Sequence, residues 1–409
     1  MNKLYKYLQQ CPFLIAVLCI VFLNASDLPV SAAQPDEILS KIENETRASN
    51  TDELVLIKDR KVIFQYSSGR FTSPILAMSA SKSIVALAVG LAIDDGALKS
   101  VDERVSDFFP EWQNDHRNRI TVRHLLNHTS GIRAKKTTED IYLEPDFVKH
   151  ALRADLTSNP GADFFYNNRA TNLLPAVLQM ATGKRMDVYL REKLFRKLGV
   201  NDADWFWQLD KAGNPYGMSG LYIRPLALAA VGQLILQNGL WNGKQIISRK
   251  WLKEMLTPGQ QHEPGCGYLW WLKSNPEEDQ IYFDDQLISQ YKENKVSEIH
   301  LKRLQPMVGR TFFRNELKNR LLAAFGSKEN AQSFLSEISR LGLPDGKLKT
   351  GPVSAYVAEG YLGQFLVIIP KKKIVAVRML HHTSTTTDSN FQTFPGLVQN
   401  LDTHTPTSP

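Results

Sequence analysis

The chain has 409 residues, 43% hydrophobic and 22% charged, which is enough for a substantial core and ordinary for a folded globular protein. Its formal charge of +7 is scattered, with no dense basic block and no aromatic–basic repeat. That argues against a nucleic-acid groove and for a mildly cationic surface.

In chain order, Lys3 and Lys6 precede the apolar run Phe13–Leu23, and "PVSAAQ" (Pro29–Gln34) offers small residues for cleavage after Ala32 or Ala33. This pattern predicts a signal peptide over residues 1–33 and an exported chain, periplasmic or secreted, with no stable membrane insertion after cleavage. A retained anchor is the alternative. Leu18 before Cys19 argues against a lipoprotein anchor. Cys11 and Cys19 leave with the segment, so Cys266 remains alone and reads as a packed small residue rather than a nucleophile.

"ELVLIKDRKVIFQYSSG" (Glu53–Gly69) predicts two strands around the polar turn Lys58–Lys61. The apolar run after Ser79 is too long for a strand and predicts a buried helix ending near Gly96. From Val101 to about Leu256 helical patterns dominate. "TVRHLLNHTSG", "NLLPAVLQMATG", "MDVYLREKLFRKLG" and "LALAAVGQLILQNG" each close on a glycine. Strand character returns in Gly267–Leu272, Ser354–Gly360, Gln364–Pro370 and Lys373–Leu380, with a hairpin turn at Lys371–Lys373.

Between these strands lies Lys273–Thr350, polar at first and then helical. Phe312, Phe313, Leu317, Leu321 and Phe325 recur at helical spacing, as do Ala331, Phe334, Leu335, Ile338 and Leu341. Neither helix can bury such a face alone, so the two are predicted to pack as a pair against the α/β part. Because the segment leads into the strand carrying Gly360, it is also a candidate wall of the cleft. The Thr-, Ser- and Pro-rich tail after His382 reads as loosely ordered at its end. The fold class is α/β (α+β): an α/β part at about 50–100 and 257–385, a helical part at about 101–256, and the insertion at about 273–350.

Ser79-x-x-Lys82 is a polar island ahead of the apolar helix and holds lysine one turn from serine. A serine hydroxyl is a weak nucleophile until a base takes its proton, and a desolvated lysine has the lowered pKa that such a base needs. The Ser79 backbone N–H, at a helix start, is a candidate oxyanion donor. Ser289-x-x-Lys292 matches the same four-residue pattern, but it lies in the polar "LISQYKENK" where nothing excludes water. No H-E-x-x-H, Cys–His cluster or EF-hand spacing occurs, so no metal and no cofactor are expected.

"MSASKSIVALAVGLAIDDG" resembles the active-site helix of serine β-lactamases and penicillin-binding proteins. The likeness is strongest to the class C β-lactamase-like serine hydrolases, which include esterases, D-aminopeptidases and 6-aminohexanoate-oligomer hydrolases. It extends through "ITVRHLLNHTSGI", "LLPAVLQMATGKRMDVYLREKLFRKLGV" and "SGLYIRPLALAAVGQLILQNGLWNGKQI". The resemblance implies an antiparallel sheet flanked by helices with an inserted, mostly helical domain. It also implies a Tyr-x-Asn element, supplied by Tyr166-Asn167-Asn168. Tyr166 would then shuttle the proton, kept partly deprotonated by Lys82, and Asn168 would bond the substrate amide or carbonyl. A buried tyrosine beside a capping asparagine is the structural alternative.

The family's third element is a short motif ending in glycine, then a three-residue turn into a strand that reaches a proline. Lys349-Thr350-Gly351 spells that motif, but Pro352 would remove an N–H where the oxyanion hole needs one. Ala358-Glu359-Gly360 fits the layout through to Pro370, which makes the Tyr361 N–H the second oxyanion donor. The cationic and hydroxyl side chains that grip a β-lactam carboxylate are then missing, and Glu359 repels an anion. The implied activity is hydrolysis of a small-molecule or peptide-like ester or amide with a neutral or cationic acyl part. A penicillin-binding D,D-peptidase or β-lactamase is the alternative, and a non-catalytic binding module a further one. His128 reads as a loop-packing histidine, and His381 and His382 as the solvated end of the last strand. Trp205, Trp207, Trp270 and Trp271 are candidates for either cleft or core.

Overall fold

The late apolar runs Gln364–Ile369 and Ile374–Met379 are buried at every position. Strands without polar alternation need cover on both faces of their sheet, and cover is what they have. A computed structural model describes residues 37–275, 278–381 and 391–401; the predicted signal segment and His382 lie outside these.

Helix α1 (Glu37–Ala48) leads into the hairpin β1 (Glu53–Lys58) and β2 (Lys61–Ser67). β3 (Ile75–Leu76) runs through a 3-10 turn, Met78–Ala80, into α2 (Ser81–Asp94). Six short helices follow: α3 (Val122–Leu126), α4 (Glu139–Tyr142), α5 (Phe147–Leu152), α6 (Asn168–Thr171), α7 (Leu173–Thr182) and α8 (Met186–Leu190). Then come β4 (Trp205–Trp207), β5 (Leu221–Ile223), α9 (Pro225–Leu236), the ribbon β6 (Leu240–Trp241) and β7 (Lys244–Gln245), and α10 (Arg249–Met255). β8 (Trp271–Ser274) opens the return to the main sheet, and β12 (Val353–Gly360), β13 (Gln364–Ile369) and β14 (Ile374–Met379) complete it before α15 (Phe394–Asn400).

The main sheet is six-stranded and antiparallel, ordered β2-β1-β14-β13-β12-β8. Period-2 alternation sends Val55, Leu366, Ile368, Val375 and Val377 into the core shared with α2 and α9. Leu54, Leu56, Phe365, Val367 and Ala376 pack on the other face with Ile42 of α1 and Phe394, Leu397 and Val398 of α15. In α2 every residue from Ser81 to Ala92 is buried, as expected of a helix that is apolar all round. Gly232 lets α9 lie close on the sheet, since a Cβ there would stand 2.6 Å from Val375 Cγ1.

The tail after His382 carries α15, whose Phe394, Leu397 and Val398 form an i, i+3, i+4 face that the surrounding Thr, Ser and Pro obscure, and its end lies outside the described residues. Three expectations are corrected. The strand expected over Gly267–Leu272 begins only at Trp271, because Gly267 N bonds Trp270 O in a turn with Leu269 at φ +58°. Phe312 and Phe313 belong to a strand, β10, and not to a helix.

The third correction concerns the insertion. It contains β9 (Gln280–Tyr282), α11 (Asp285–Glu293), α12 (Glu298–Leu304), β10 (Thr311–Phe313), α13 (Leu317–Phe325), α14 (Lys328–Arg340) and β11 (Lys347–Lys349). Its strands make a separate sheet, β10-β9-β11, and its helices close over a core of their own. Phe283, Leu304, Phe325 and Phe334 belong to that core, which draws on no residue outside the insertion. The helix pair therefore buries its faces on α11, α12 and the small sheet, not on the α/β part. Phe334→Ala should remove about 3–5 kcal/mol from this core alone. Limited proteolysis with mass spectrometry should show early cleavage within 278–350 while the remainder resists. Simultaneous cleavage throughout would show that the two cores unfold as one.

Candidate active site

Residues 75–81 are held from one side by β5. Ala77 N donates to Leu221 O at 2.8 Å, and the buried Ser81 Oγ accepts from Leu221 N at 3.1 Å. Between them Met78 is at φ +50°, a left-handed conformation uncommon for a side-chain-bearing residue, and it sets Ser79 in the 3-10 turn ahead of α2. One turn on, Lys82 is 2% exposed. Its Nζ lies 3.0 Å from Ser79 Oγ and donates to Met218 O at 2.5 Å. Met218 N is in turn bonded to Asn172 Oδ1 at 3.1 Å. Burial draws Lys82 down from 10.5 to about 7.

The Tyr166 loop is fastened to His128 on both sides. Phe165 N donates to His128 O at 2.9 Å, and Asn167 N donates to His128 Nδ1 at 3.1 Å. Asn167 itself caps α6, accepting from Ala170 N at 2.8 Å and donating to Ile132 O at 2.6 Å. Burial, reinforced by Lys82, pushes His128 down to about 3, so it is neutral, with Nδ1 the acceptor. It holds the loop, and its ring lies 4.5 Å from that of Tyr166.

Tyr166 lines the cleft with Ser79, and Lys82 Nζ stands 4.9 Å from the centre of its ring. Burial, only partly opposed by the neighbouring Ser79 hydroxyl, raises Tyr166 to about 12. This corrects the expected partial deprotonation: near neutrality the phenol keeps its proton, and Lys82 is the group that titrates.

The third side is the end of β12. A Cβ on Gly360 would lie 2.3 Å from Ala77 O, so only glycine lets this strand abut the serine turn. Glu359 lines the cleft with Ser79, Lys82 and Tyr166. Past Gly360, the tight turn Tyr361–Gly363 is closed by Gly363 N on Gly360 O at 3.1 Å. Lys349 instead pairs with Gln280 in the insertion's sheet, and Gly351 N bonds Asp279 Oδ1 at 2.9 Å. Ser289 and Lys292 are both exposed on α11. Among the described residues, the insertion supplies none that line the cleft.

Asn168 opens α6 half-buried, and its backbone carbonyl accepts from Thr171 Oγ1 and Asn172 Nδ2 at 3.0 and 3.1 Å. Trp271 does line the cleft and stacks on Tyr166 with ring centres 6.3 Å apart, whereas Trp205, Trp207 and Trp270 are buried. Cys266 lines the floor as a buried thiol that burial pushes up to about 12. Met218 and Asn172 had no chemical signature in the sequence, since a backbone carbonyl can come from any residue. A larger cavity of about 260 Å³ lies away from this cleft, between β2 and the start of α9. Ser73 on its rim stands 3.5 Å from His381 Nε2, and Asp52 behind that histidine meets His381 Nδ1 at 3.3 Å while also holding Arg70 at 2.7 Å and accepting from His381 N at 2.7 Å. That group ties the end of β14 to β1.

The Beta-lactamase family model matches residues 45–394. The 6-aminohexanoate-dimer hydrolase of Paenarthrobacter ureafaciens is 24% identical over 246 residues, 54% of this chain and 61% of that protein. The chain spans only 52–61% of the length of this and other curated relatives it matches. Among solved structures, the penicillin binding protein from Bacillus halodurans superposes with a TM-score of 0.53 at 16% identity, covering 85% of this chain and 96% of that one. EstCE1, a hydrolase with promiscuous acyltransferase activity, does so with a TM-score of 0.55 at 15% identity, covering 89% and 98%. These likenesses speak to the fold, and the family match spans most of the sequence. The chain belongs to the Beta-lactamase family.

Proposed function

We propose that the protein is a serine hydrolase that cleaves esters or amides through an acyl-enzyme on Ser79. The observation that carries this reading is the buried Lys82 amine, 3.0 Å from Ser79 Oγ and drawn down to about 7. A neutral amine offers one lone pair and two N–H groups. With one N–H donated to Met218 O, the lone pair is available to take the serine proton.

Acylation then has a balanced proton path. Ser79 Oγ attacks the carbonyl carbon while its proton passes to Lys82 Nζ. Tyr166, still protonated, gives its proton to the departing oxygen or nitrogen. The acyl-enzyme therefore holds a Lys82 ammonium beside a Tyr166 phenolate. In deacylation the phenolate takes a proton from the attacking water, and Lys82 returns one to Ser79 Oγ. The Ser79 and Tyr361 N–H groups are the proposed oxyanion donors. Glu359 in the cleft disfavours an anionic acyl part, which argues for neutral or cationic substrates over β-lactams. Residues 1–33 are proposed to direct export, with the reaction taking place in the periplasm or outside the cell.

Mass spectrometry after a fluorophosphonate should find the label on Ser79 alone and none in Ser79→Ala. A label on Ser289 would overturn the assignment. The free enzyme's kcat/KM should rise through about pH 7 as Lys82 loses its proton, and then stay level to pH 10, because Tyr166 titrates near 12. A flat acid limb, or a fall between pH 8 and 10, would remove Lys82 from the role of base. A p-nitrophenyl ester should be turned over far better than a chromogenic cephalosporin, and Glu359→Lys should narrow that gap. Efficient cephalosporin turnover by the wild type would overturn the exclusion of anionic acyl parts by Glu359.

A further inference from the structure

Arg378 is the one charged residue within β13 and β14. It sits opposite Phe365, on the sheet face covered by α1 and α15, and is 0% exposed. A guanidinium in a core is costly unless its donors are filled, and among the described residues no carboxylate bonds this one. Its partners are three backbone carbonyls and two hydroxyls. Nη1 donates to Leu362 O at 3.1 Å and Gly363 O at 2.7 Å, and Nη2 donates to Ser49 O at 3.0 Å, with a longer contact to Ser49 Oγ at 3.4 Å. Nε donates to Thr51 Oγ1 at 2.8 Å, and the Phe391 ring centre lies 5.5 Å away.

Two of those carbonyls belong to the turn that follows Gly360. Leu362 in that turn is at φ +65°, a conformation that must be imposed from outside on a residue with a side chain. The next residue, Gln364, is buried and clasps Leu380 through both amide atoms, at 2.7 and 3.1 Å. Tyr361 is thus bracketed. Gly360 is packed against Ala77 on one side, and Leu362, Gly363 and Gln364 are tied from behind on the other.

We propose that Arg378 is a positioning residue for the oxyanion hole, its guanidinium holding the Tyr361–Gly363 turn at a fixed separation from Ser79. This rests on the serine hydrolase reading. Oxyanion donors act by being preorganised where charge develops, so a loosened turn costs transition-state stabilisation and leaves ground-state binding nearly intact. Lysine keeps the charge at position 378, but a single nitrogen cannot serve Leu362, Gly363, Ser49 and Thr51 together.

The test is steady-state turnover of a p-nitrophenyl ester by Arg378→Lys, with thermal melting and fluorophosphonate labelling of the same samples. We expect kcat to fall at least about tenfold with KM within about twofold, a fraction of what loss of a whole oxyanion donor costs. A folded Arg378→Lys with wild-type kcat, or one whose KM rises while kcat holds, would show that Arg378 serves the fold alone. If Arg378→Lys does not fold, Thr51→Val decides, since it keeps the arginine and removes the acceptor of its Nε–H. A few-fold drop in kcat at constant KM supports the proposal, and an unchanged kcat overturns it. A wild type that neither labels at Ser79 nor turns over the ester would fail the hydrolase reading itself, and this proposal with it.

Discussion

The site depends on keeping water from one lysine amine. Moving Lys82 from 10.5 to about 7 disfavours its charged form by roughly 5 kcal/mol, and only the surrounding core can sustain that. The helix that carries it is buried on all sides, and the carbonyl of Met218 takes one of its N–H groups, itself fixed by Asn172. Tyr166 and Trp271 close the approach as a stacked pair. Burial also forces the phenol upward, so one desolvated environment moves the two groups in opposite directions.

Holding the three sides of the cleft together requires backbone that would not adopt its shape unaided. Met78 before the nucleophile, His128 under the tyrosine loop, Leu269 on the floor and Leu362 after Gly360 all have positive φ. Such conformations persist where the surroundings over-determine them, and they cluster at functional sites. The surroundings here are a sheet covered on both faces and buried polar clamps: Ser81 on Leu221, His128 on Asn167, Arg378 on Leu362 and Gly363. The insertion takes no part in this. Its sheet and helices close on themselves, and the cleft is lined without it.

Much of this was legible from local pattern. Strand and helix periods marked the β1–β2 hairpin, α2 and strands β12 to β14, because alternation and burial leave a residue-by-residue trace. Ser79 and Lys82 were legible because the chemistry demands those side chains, Tyr166 through the family resemblance, and Gly360 because the family's layout fits there while proline at 352 rules out the better-looking motif. Short elements were not: α15 hides in a polar tail, and Phe312 and Phe313 satisfy helical spacing while lying in a strand three residues long.

What the sequence determined by itself is therefore the candidate nucleophile, its candidate base, and a sheet split between the chain's two ends. Tertiary structure alone decided the protonation states, because a pKa is set by the water excluded around a group and that exclusion comes from distant segments. It brought Trp271 to the cleft and left Trp205, Trp207 and Trp270 in the core. It also gave Arg378 its partners at Ser49, Thr51, Leu362 and Gly363, because backbone carbonyls carry no sequence signature and meet only when the sheet closes.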